Sequence, residues 1–144
     1  MKLTKIQREK LRGMFDGRCA YCGIQLPENG WHADHVKPVH YDLQFRPQGW
    51  KDGEWTPSRY VKNGRLLRPE NDTIKNLFPS CRACNIDKGA LELEEWRGWL
   101  QDRMVDSMRR NNANFRHAER FGRVTICTAP LVFWFERCAQ APGI

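Results

Sequence analysis

The chain has 144 residues, of which 40% are hydrophobic and 28% are charged, and its mean hydropathy is −0.73. A chain this short and polar forms one domain, or one domain with an extension, around a thin core that a bound metal would stabilise. Its net charge of +7 favours a polyanionic partner, although basic composition alone does not establish one. The longest apolar run, 131–135, is far shorter than the roughly 18 residues of a membrane span, so no membrane segment is predicted.

The first predicted elements are a helix and a metal-binding turn. Thr4 can cap a helix that ends at Asp16-Gly17, and its apolar residues fall on one stripe. Cys19 and Cys22 follow in the sequence Cys-Ala-Tyr-Cys-Gly. The two-residue spacer lets both sulfur atoms face one ion, and Gly23 permits the turn afterwards.

A second pair, Cys81 and Cys84, completes a set of four soft ligands. The N-terminus, 1–10, has no apolar core and is predicted not to be a signal peptide. The thiols are therefore expected to stay reduced, which favours metal binding over disulfide bonds. The prediction is a structural zinc ion held by Cys19, Cys22, Cys81 and Cys84, with Cys127 and Cys138 as small buried hydrophobic residues.

The middle of the chain predicts a strand at 31–39 followed by a long connection at 40–75. Within this connection, 62–65 lies between two apolar pairs and predicts a short hairpin. Aromatic residues interleaved with basic ones suit stacking on nucleic acid, and Arg65 and Arg68 are candidate DNA contacts. Acidic residues nearly cancel the charge, so a packed flap is an equal alternative.

The second half of the chain predicts a strand, three helices and a β-hairpin. In order, these are a strand at 76–79, a helix from Cys81 to Gly89 capped by Ser80, helices over about 92–111 and 112–122, and strands at 124–128 and 131–135. Arginines are frequent in this region: Arg97, Arg103, Arg109, Arg110, Arg116, Arg120 and Arg123. They make it the better candidate for a surface that follows a nucleic-acid backbone, with an ordinary solvated helix face as an equal alternative.

Two strands carrying Asp34-His35 and Asn76, followed by a helix carrying Asn85, form a predicted ββα unit. The combined pattern is Cys-x-x-Cys-Gly, Asp-His, Asn-Leu and Cys-x-x-Cys-Asn-x-x-Lys-Gly. Over roughly 18–89 it resembles the HNH endonuclease family. The resemblance implies a small zinc-stapled ββα-metal core. With the flanking helices and the C-terminal β-hairpin predicted above, the expected fold class is α+β.

The expected domain organisation follows from this resemblance. A nuclease core would occupy 1–90 and contain the inserted loop 40–75. A helical and β-hairpin extension at 91–144 would pack on that core.

The resemblance also implies a role for each matching residue. Asp34 and Asn85 would bind a single catalytic divalent cation, and His35 would be the general base that activates the attacking water. Asn76 would brace the hairpin loop and so orient the base, and Lys88 would lie near the DNA phosphates. One carboxylate and one amide oxygen suit a hydrated Mg²⁺ or Mn²⁺. Since adjacent strand residues face opposite sides, a twist or bulge is expected at Asp34 and His35.

The implied function is a metal-dependent endonuclease that hydrolyses DNA, like those encoded by phages and mobile elements and acting in the cytoplasm of a bacterial host. A monomer and a homodimer both remain open, and with them nicking and double-strand cutting. One alternative is a zinc-stapled nucleic-acid-binding or regulatory module with a vestigial nuclease site. Another is an inhibitor or interaction protein that uses 131–135 as a docking strand.

Overall fold

The computed structural model describes residues 2–138, and within them the chain is a mixed α+β protein with three small antiparallel sheets. The helices are α1 (Lys5–Gly13), α2 (Arg82–Lys88), α3 (Leu93–Gly98), α4 (Met104–Asn111), α5 (Ala113–Arg120) and α6 (Trp134–Arg137). The strands are β1 (His32–His35), β2 (Tyr41–Arg46), β3 (Gly49–Lys51), β4 (Glu54–Thr56), β5 (Arg59–Leu66) and β6 (Leu77–Ser80). The predicted α+β class is confirmed.

The helix α1 begins with the capping chemistry that the sequence predicts. Thr4 Oγ1 accepts a hydrogen bond from the Gln7 backbone N–H (3.3 Å), and Gln7 Oε1 accepts one from the Thr4 backbone N–H (2.9 Å). This reciprocal pair satisfies two donors that the first helical turn leaves open. Leu11 and Phe15 are buried and join the helix to the core.

The strands β1 and β6 pair in unbroken register, with Asp34 opposite Phe78 and His35 opposite Leu77. The expectation at Asp34 and His35 was a twist or a bulge, and this register contains no bulge. Because the strand stays regular, consecutive side chains leave it on opposite faces. The strand is also shorter than the predicted 31–39.

The helix α2 follows β6 directly and is capped by a cysteine. Cys81 Sγ accepts a hydrogen bond from the Cys84 backbone N–H (3.4 Å), whereas Ser80, the predicted cap, belongs to β6. Ser80 does not cap the helix because it is still paired with His32 in the sheet. The Cys81 sulfur atom accepts the capping hydrogen bond instead. The helix ends at Lys88, and Gly89, the predicted stop, follows it with a positive φ of 52°.

Residues 41–66 form a β-ribbon arm instead of the expected loop with a short hairpin. Strand β2 pairs with β5, and β3 pairs with β4 further along the same arm. The outer turn is at Asp52 and Gly53, which both have positive φ (51° and 83°), as a two-residue hairpin loop requires. The hairpin predicted at 62–65 was wrong, because these residues lie inside β5 opposite a register irregularity between Tyr41 and Leu43.

The helices of the second half are confirmed, with one addition. A π-helical turn, Trp99–Arg103, joins α3 to α4 within the helix predicted over about 92–111. Asn112 caps α5 by accepting a hydrogen bond from the Phe115 backbone N–H (3.1 Å). No helix in residues 2–138 is long and apolar enough to cross a membrane.

The segment 131–138 packs into the core and does not form the predicted C-terminal β-hairpin. The backbone N–H groups of Trp134 and Phe135 donate to the carbonyl oxygens of Tyr21 (2.9 Å) and Ala20 (2.8 Å), and α6 begins there. Phe133 is buried and stacks on Trp96 with ring centroids 5.2 Å apart. The aromatic run is thus core, and it does not present the docking strand expected of an interaction protein. The rest of the predicted 91–144 extension, beyond 138, lies outside the described residues.

Candidate zinc centre and catalytic face

The fold brings together the four cysteines predicted as zinc ligands: Cys19, Cys22, Cys81 and Cys84. Their sulfur atoms all lie within 4.8 Å of one another, and Cys22 Sγ is 3.9 Å from Cys81 Sγ. A disulfide would need about 2.05 Å, whereas sulfur atoms around a tetrahedral zinc ion lie about 3.8 Å apart. The four cysteines could therefore hold a metal such as zinc.

Backbone hydrogen bonds shape the turn that carries the first pair. The N–H of Gly23 donates to the Cys19 carbonyl oxygen (3.0 Å), and the Cys19 N–H donates to Ile24 (2.9 Å). Gly23 has a φ of 76°, which a residue with a Cβ rarely adopts. Ala20 N–H donates to the carbonyl oxygen of Pro79 (2.8 Å), two residues before Cys81, and so joins the two halves of the cluster.

The close approach of the cysteines shifts the pKa values of three of their thiols in different directions. A hydrogen bond between Cys19 and Cys84 lowers the pKa of Cys19 and raises the pKa of Cys84, while burial raises the pKa of Cys22. One thiolate thus forms easily, and further ionisation is opposed by burial and by its charge. A divalent cation would compensate these charges, as it does in a tetrathiolate site.

Asp34 lies on the buried side of β1 and is 6% exposed. Its Oδ2 accepts a hydrogen bond from the Tyr21 hydroxyl and lies 3.0 Å from Lys88 Nζ. Burial raises the pKa of the Asp34 carboxyl, and the Lys88 ammonium and the Tyr21 hydroxyl oppose this shift. The carboxylate expected at the catalytic cation thus already has two protein partners.

Lys88 is 1% exposed, and its ammonium also donates to the His35 carbonyl oxygen (2.7 Å). The structure therefore corrects its expected position beside DNA phosphates. The lysine points into the protein because the buried Asp34 carboxylate needs a compensating charge.

His35 faces the opposite side of β1, and its side chain is 25% exposed. Its Nε2 lies 2.9 Å from Asp72 Oδ1. In the tautomer whose Nε2–H donates to this carboxylate, Nδ1 keeps a lone pair that can accept a proton. Sequence reasoning missed Asp72, because it lies 37 positions away and no local motif joins the two residues.

Asn76 braces the chain that follows His35. Its Nδ2 donates to the carbonyl oxygens of Lys37 and Asn71 (both 2.8 Å), and its Oδ1 accepts from the Lys37 N–H (2.9 Å). Asn71 in turn donates to the carbonyl oxygen of Pro38 (2.9 Å). These bonds tie the segment after β1 to the segment before β6.

The remaining predicted site residues are Asn85, Arg65 and Arg68. Asn85 is partly exposed in α2, three residues before Lys88. Arg68 forms an ion pair with Glu92 (2.5 Å), and Arg65 is exposed on the β-ribbon arm.

Three of the seven arginines named in the C-terminal half, Arg97, Arg109 and Arg116, bond to other groups of the protein. Arg97 contacts Glu94 and Glu136, and Arg109 lies 2.6 Å from Glu119. Arg116 donates to the carbonyl oxygens of Arg109 and Arg110. The charges of Arg97 and Arg109 are thus paired with carboxylates, whereas Arg116 donates to neutral carbonyl oxygens.

Comparisons with protein-family models, with curated proteins and with solved structures find no match for this chain. The chemistry open to the site therefore follows from its own residues. These provide a cluster for one soft metal ion and a fixed, partly exposed imidazole 2.9 Å from a carboxylate.

Proposed function

We propose that this protein is a metal-dependent endonuclease that hydrolyses DNA phosphodiester bonds, with His35 as its general base. The observation that carries the proposal is the partly exposed His35 ring, paired with Asp72 and followed by a segment that Asn76 braces. Together with Asn85 in α2 and the four-cysteine cluster, this arrangement resembles the ββα-metal core of HNH endonucleases.

His35 would activate water through Nδ1. Asp72 would accept a hydrogen bond from Nε2–H and stabilise the positive charge that forms on the ring. The brace at Asn76 keeps the base in position, which reduces the entropy lost on reaching the transition state.

Asp34 Oδ1 and the Asn85 side-chain oxygen would hold the catalytic cation. These are hard ligands that suit Mg²⁺ or Mn²⁺, and the bound cation would neutralise charge on the phosphate. Tyr21 and Lys88 occupy Oδ2 of Asp34, as outer hydrogen-bonding partners of a ligating carboxylate do. Because Lys88 already neutralises much of the Asp34 charge, we expect the cation to be held weakly.

A plasmid-nicking assay tests the proposal. We expect the protein to relax supercoiled plasmid with Mg²⁺ or Mn²⁺, and mild EDTA to stop cleavage before it unfolds the chain. His35→Ala should lower the rate roughly 10²- to 10⁴-fold with DNA binding retained. His32→Ala, on the same strand, is the control and should stay active. Absence of cleavage by the wild type with every divalent cation would overturn the proposal.

Asp72 provides a second test. Asp72→Asn should lower the cleavage rate by roughly 10²-fold, because an amide can hold the ring in the wrong tautomer or orientation. Asp52→Asn at the arm tip removes the same charge and should leave the rate unchanged. Equal rates for wild type and Asp72→Asn would remove Asp72 from the mechanism.

The buried Asp34–Lys88 pair favours a second candidate, a zinc-stapled nucleic-acid-binding module without nuclease activity. In such a protein the ion pair would be purely structural. DNA binding without cleavage under any metal condition would select this alternative.

A further inference from the structure

The β-ribbon arm has a cleft of about 530 Å³ at the place where its inner strand pair meets its outer one. Three cations line this cleft, Arg46, Lys51 and Arg59, together with the rings of Phe45 and Trp50. No carboxylate lines it. It is therefore a positively charged concave surface with aromatic walls, well separated in sequence from His35 and the cysteines.

The two arginines of the cleft oppose each other without a compensating charge. Arg46 and Arg59 are direct partners across β2 and β5, an arrangement that like charges make unfavourable. Within residues 2–138, no ion pair is formed by either arginine or by Lys51. An anion between the guanidinium groups would relieve this repulsion.

The aromatic residues of the arm are unusually exposed. Trp50 is 74% exposed and packs edge-on against Trp55, with ring centroids 5.8 Å apart. Phe45 and Tyr60 form a second exposed pair at 5.3 Å. Large rings beside unpaired cations are the combination that binds nucleic-acid strands, because bases stack on the rings while cations contact phosphates.

We propose that this cleft binds a nucleic-acid strand, with a phosphate between Arg46 and Arg59 and an unpaired base stacked on Trp50. This inference rests on the proposed endonuclease function in one respect: that function identifies the bound polyanion as DNA. It places part of substrate binding on the arm, outside the catalytic residues. The occupant is a single strand or an unpaired segment, because a base inside a duplex does not offer its face to an indole ring.

The test is fluorescence anisotropy with a labelled single-stranded oligonucleotide and its duplex, using the full chain carrying His35→Ala to prevent cleavage. Adding Arg46→Gln and Arg59→Gln should weaken single-strand binding about 10-fold at low salt. The same pair should reduce the slope of log K against log salt by about 0.7, the release expected for one phosphate contact on a single strand. Trp50→Ala should weaken single-strand binding about 10-fold, change the slope little and affect the duplex less.

Matched controls distinguish an effect of the cleft from the effect of lower net charge and from the loss of any exposed aromatic ring. Lys5→Gln with Lys10→Gln removes two exposed cations on α1, and Phe121→Ala removes a ring that is 73% exposed. Both should bind like the parent. Equal losses in these controls, or unchanged binding in the cleft variants, would overturn the proposal.

The outcomes also separate this proposal from the proposed function. Cleavage by the wild type together with unchanged binding in the cleft variants would overturn the cleft alone. Cleft-dependent binding by a wild-type protein that never cleaves would overturn the nuclease alone. Self-association that Trp50→Ala abolishes, with DNA binding unaffected, would assign the arm to a second copy of the chain and also overturn the cleft.

Discussion

Asp34 and Lys88 form an ion pair that is almost fully removed from solvent. Tyr21 adds a hydrogen bond to the carboxylate, and the His35 carbonyl oxygen accepts one from the ammonium. Two buried charges are costly unless each has partners, and here both do. The pair connects β1 to α2, so it holds together the two elements that carry the proposed catalytic face.

Removing one partner should therefore destabilise the fold. Lys88→Met leaves the buried carboxylate with only its Tyr21 hydrogen bond, and we expect a loss of about 3–5 kcal/mol in the free energy of unfolding. Urea denaturation at neutral pH with zinc present measures it. Lys75→Met, an exposed lysine, should change stability by less than about 0.5 kcal/mol. Equal stability of the two variants would mean that the ion pair is not formed.

At the level of elements, the cysteine turn and the C-terminal segment depend on each other. The Trp134 N–H donates to Tyr21, and the indole ring of Trp134 covers Gly23. A Cβ added to Gly23 would lie 2.6 Å from Trp134 Cε3. The glycine is thus required both for its positive φ and for the close approach of the ring.

Two glycine substitutions separate these requirements. Gly30 also has a positive φ, 86°, but no atom within 4 Å would meet an added Cβ, so Gly30→Ala should cost about 1 kcal/mol from backbone strain alone. Gly23→Ala carries a similar strain and also displaces Trp134, so we expect it to cost at least about 1 kcal/mol more. Thermal unfolding monitored by tryptophan fluorescence measures both. A smaller loss at Gly23 than at Gly30 would contradict this packing.

At the scale of the whole molecule, the four-cysteine cluster joins segments that are far apart in sequence. Cys19 follows α1, while Cys81 and Cys84 lie at the start of α2. The core that surrounds the cluster is small, because the arm contributes little to it. In a domain of this size, metal-binding free energy is a large part of the folding free energy.

Metal analysis and unfolding test this dependence. We expect about one zinc ion per chain. Cys81→Ser should lose the metal and either unfold or melt at a much lower temperature, because a ligand and the α2 cap are lost together. The prediction that Cys127 and Cys138 are buried was wrong, because Cys127 is exposed and Cys138 is only partly buried. Cys127→Ser, outside the cluster, should therefore retain both metal and stability. A metal-free protein that melts like the wild type would contradict the structural role.

The amino-acid sequence by itself determined the features that depend on neighbouring residues. The cap at Thr4, the turn from Cys19 to Gly23 and the end of α2 at Gly89 each involve contacts within a few positions. Cysteine spacing also predicted the cluster of four cysteines that could hold a metal, since two Cys-x-x-Cys pairs can place four sulfur ligands around one ion.

Only the tertiary structure decided the features that depend on distant partners. Asn63-Gly64 is a strong local hairpin signal, yet pairing with β2 keeps it inside β5, and core packing takes 131–135 away from a hairpin. Asp72 meets His35 across 37 positions, and Lys88 meets the His35 carbonyl across 53. Local propensity is worth a fraction of a kcal/mol per residue, whereas burial of an aromatic ring is worth about 1.5–3 kcal/mol. Distant contacts can therefore outweigh a local signal, as they do at 131–135.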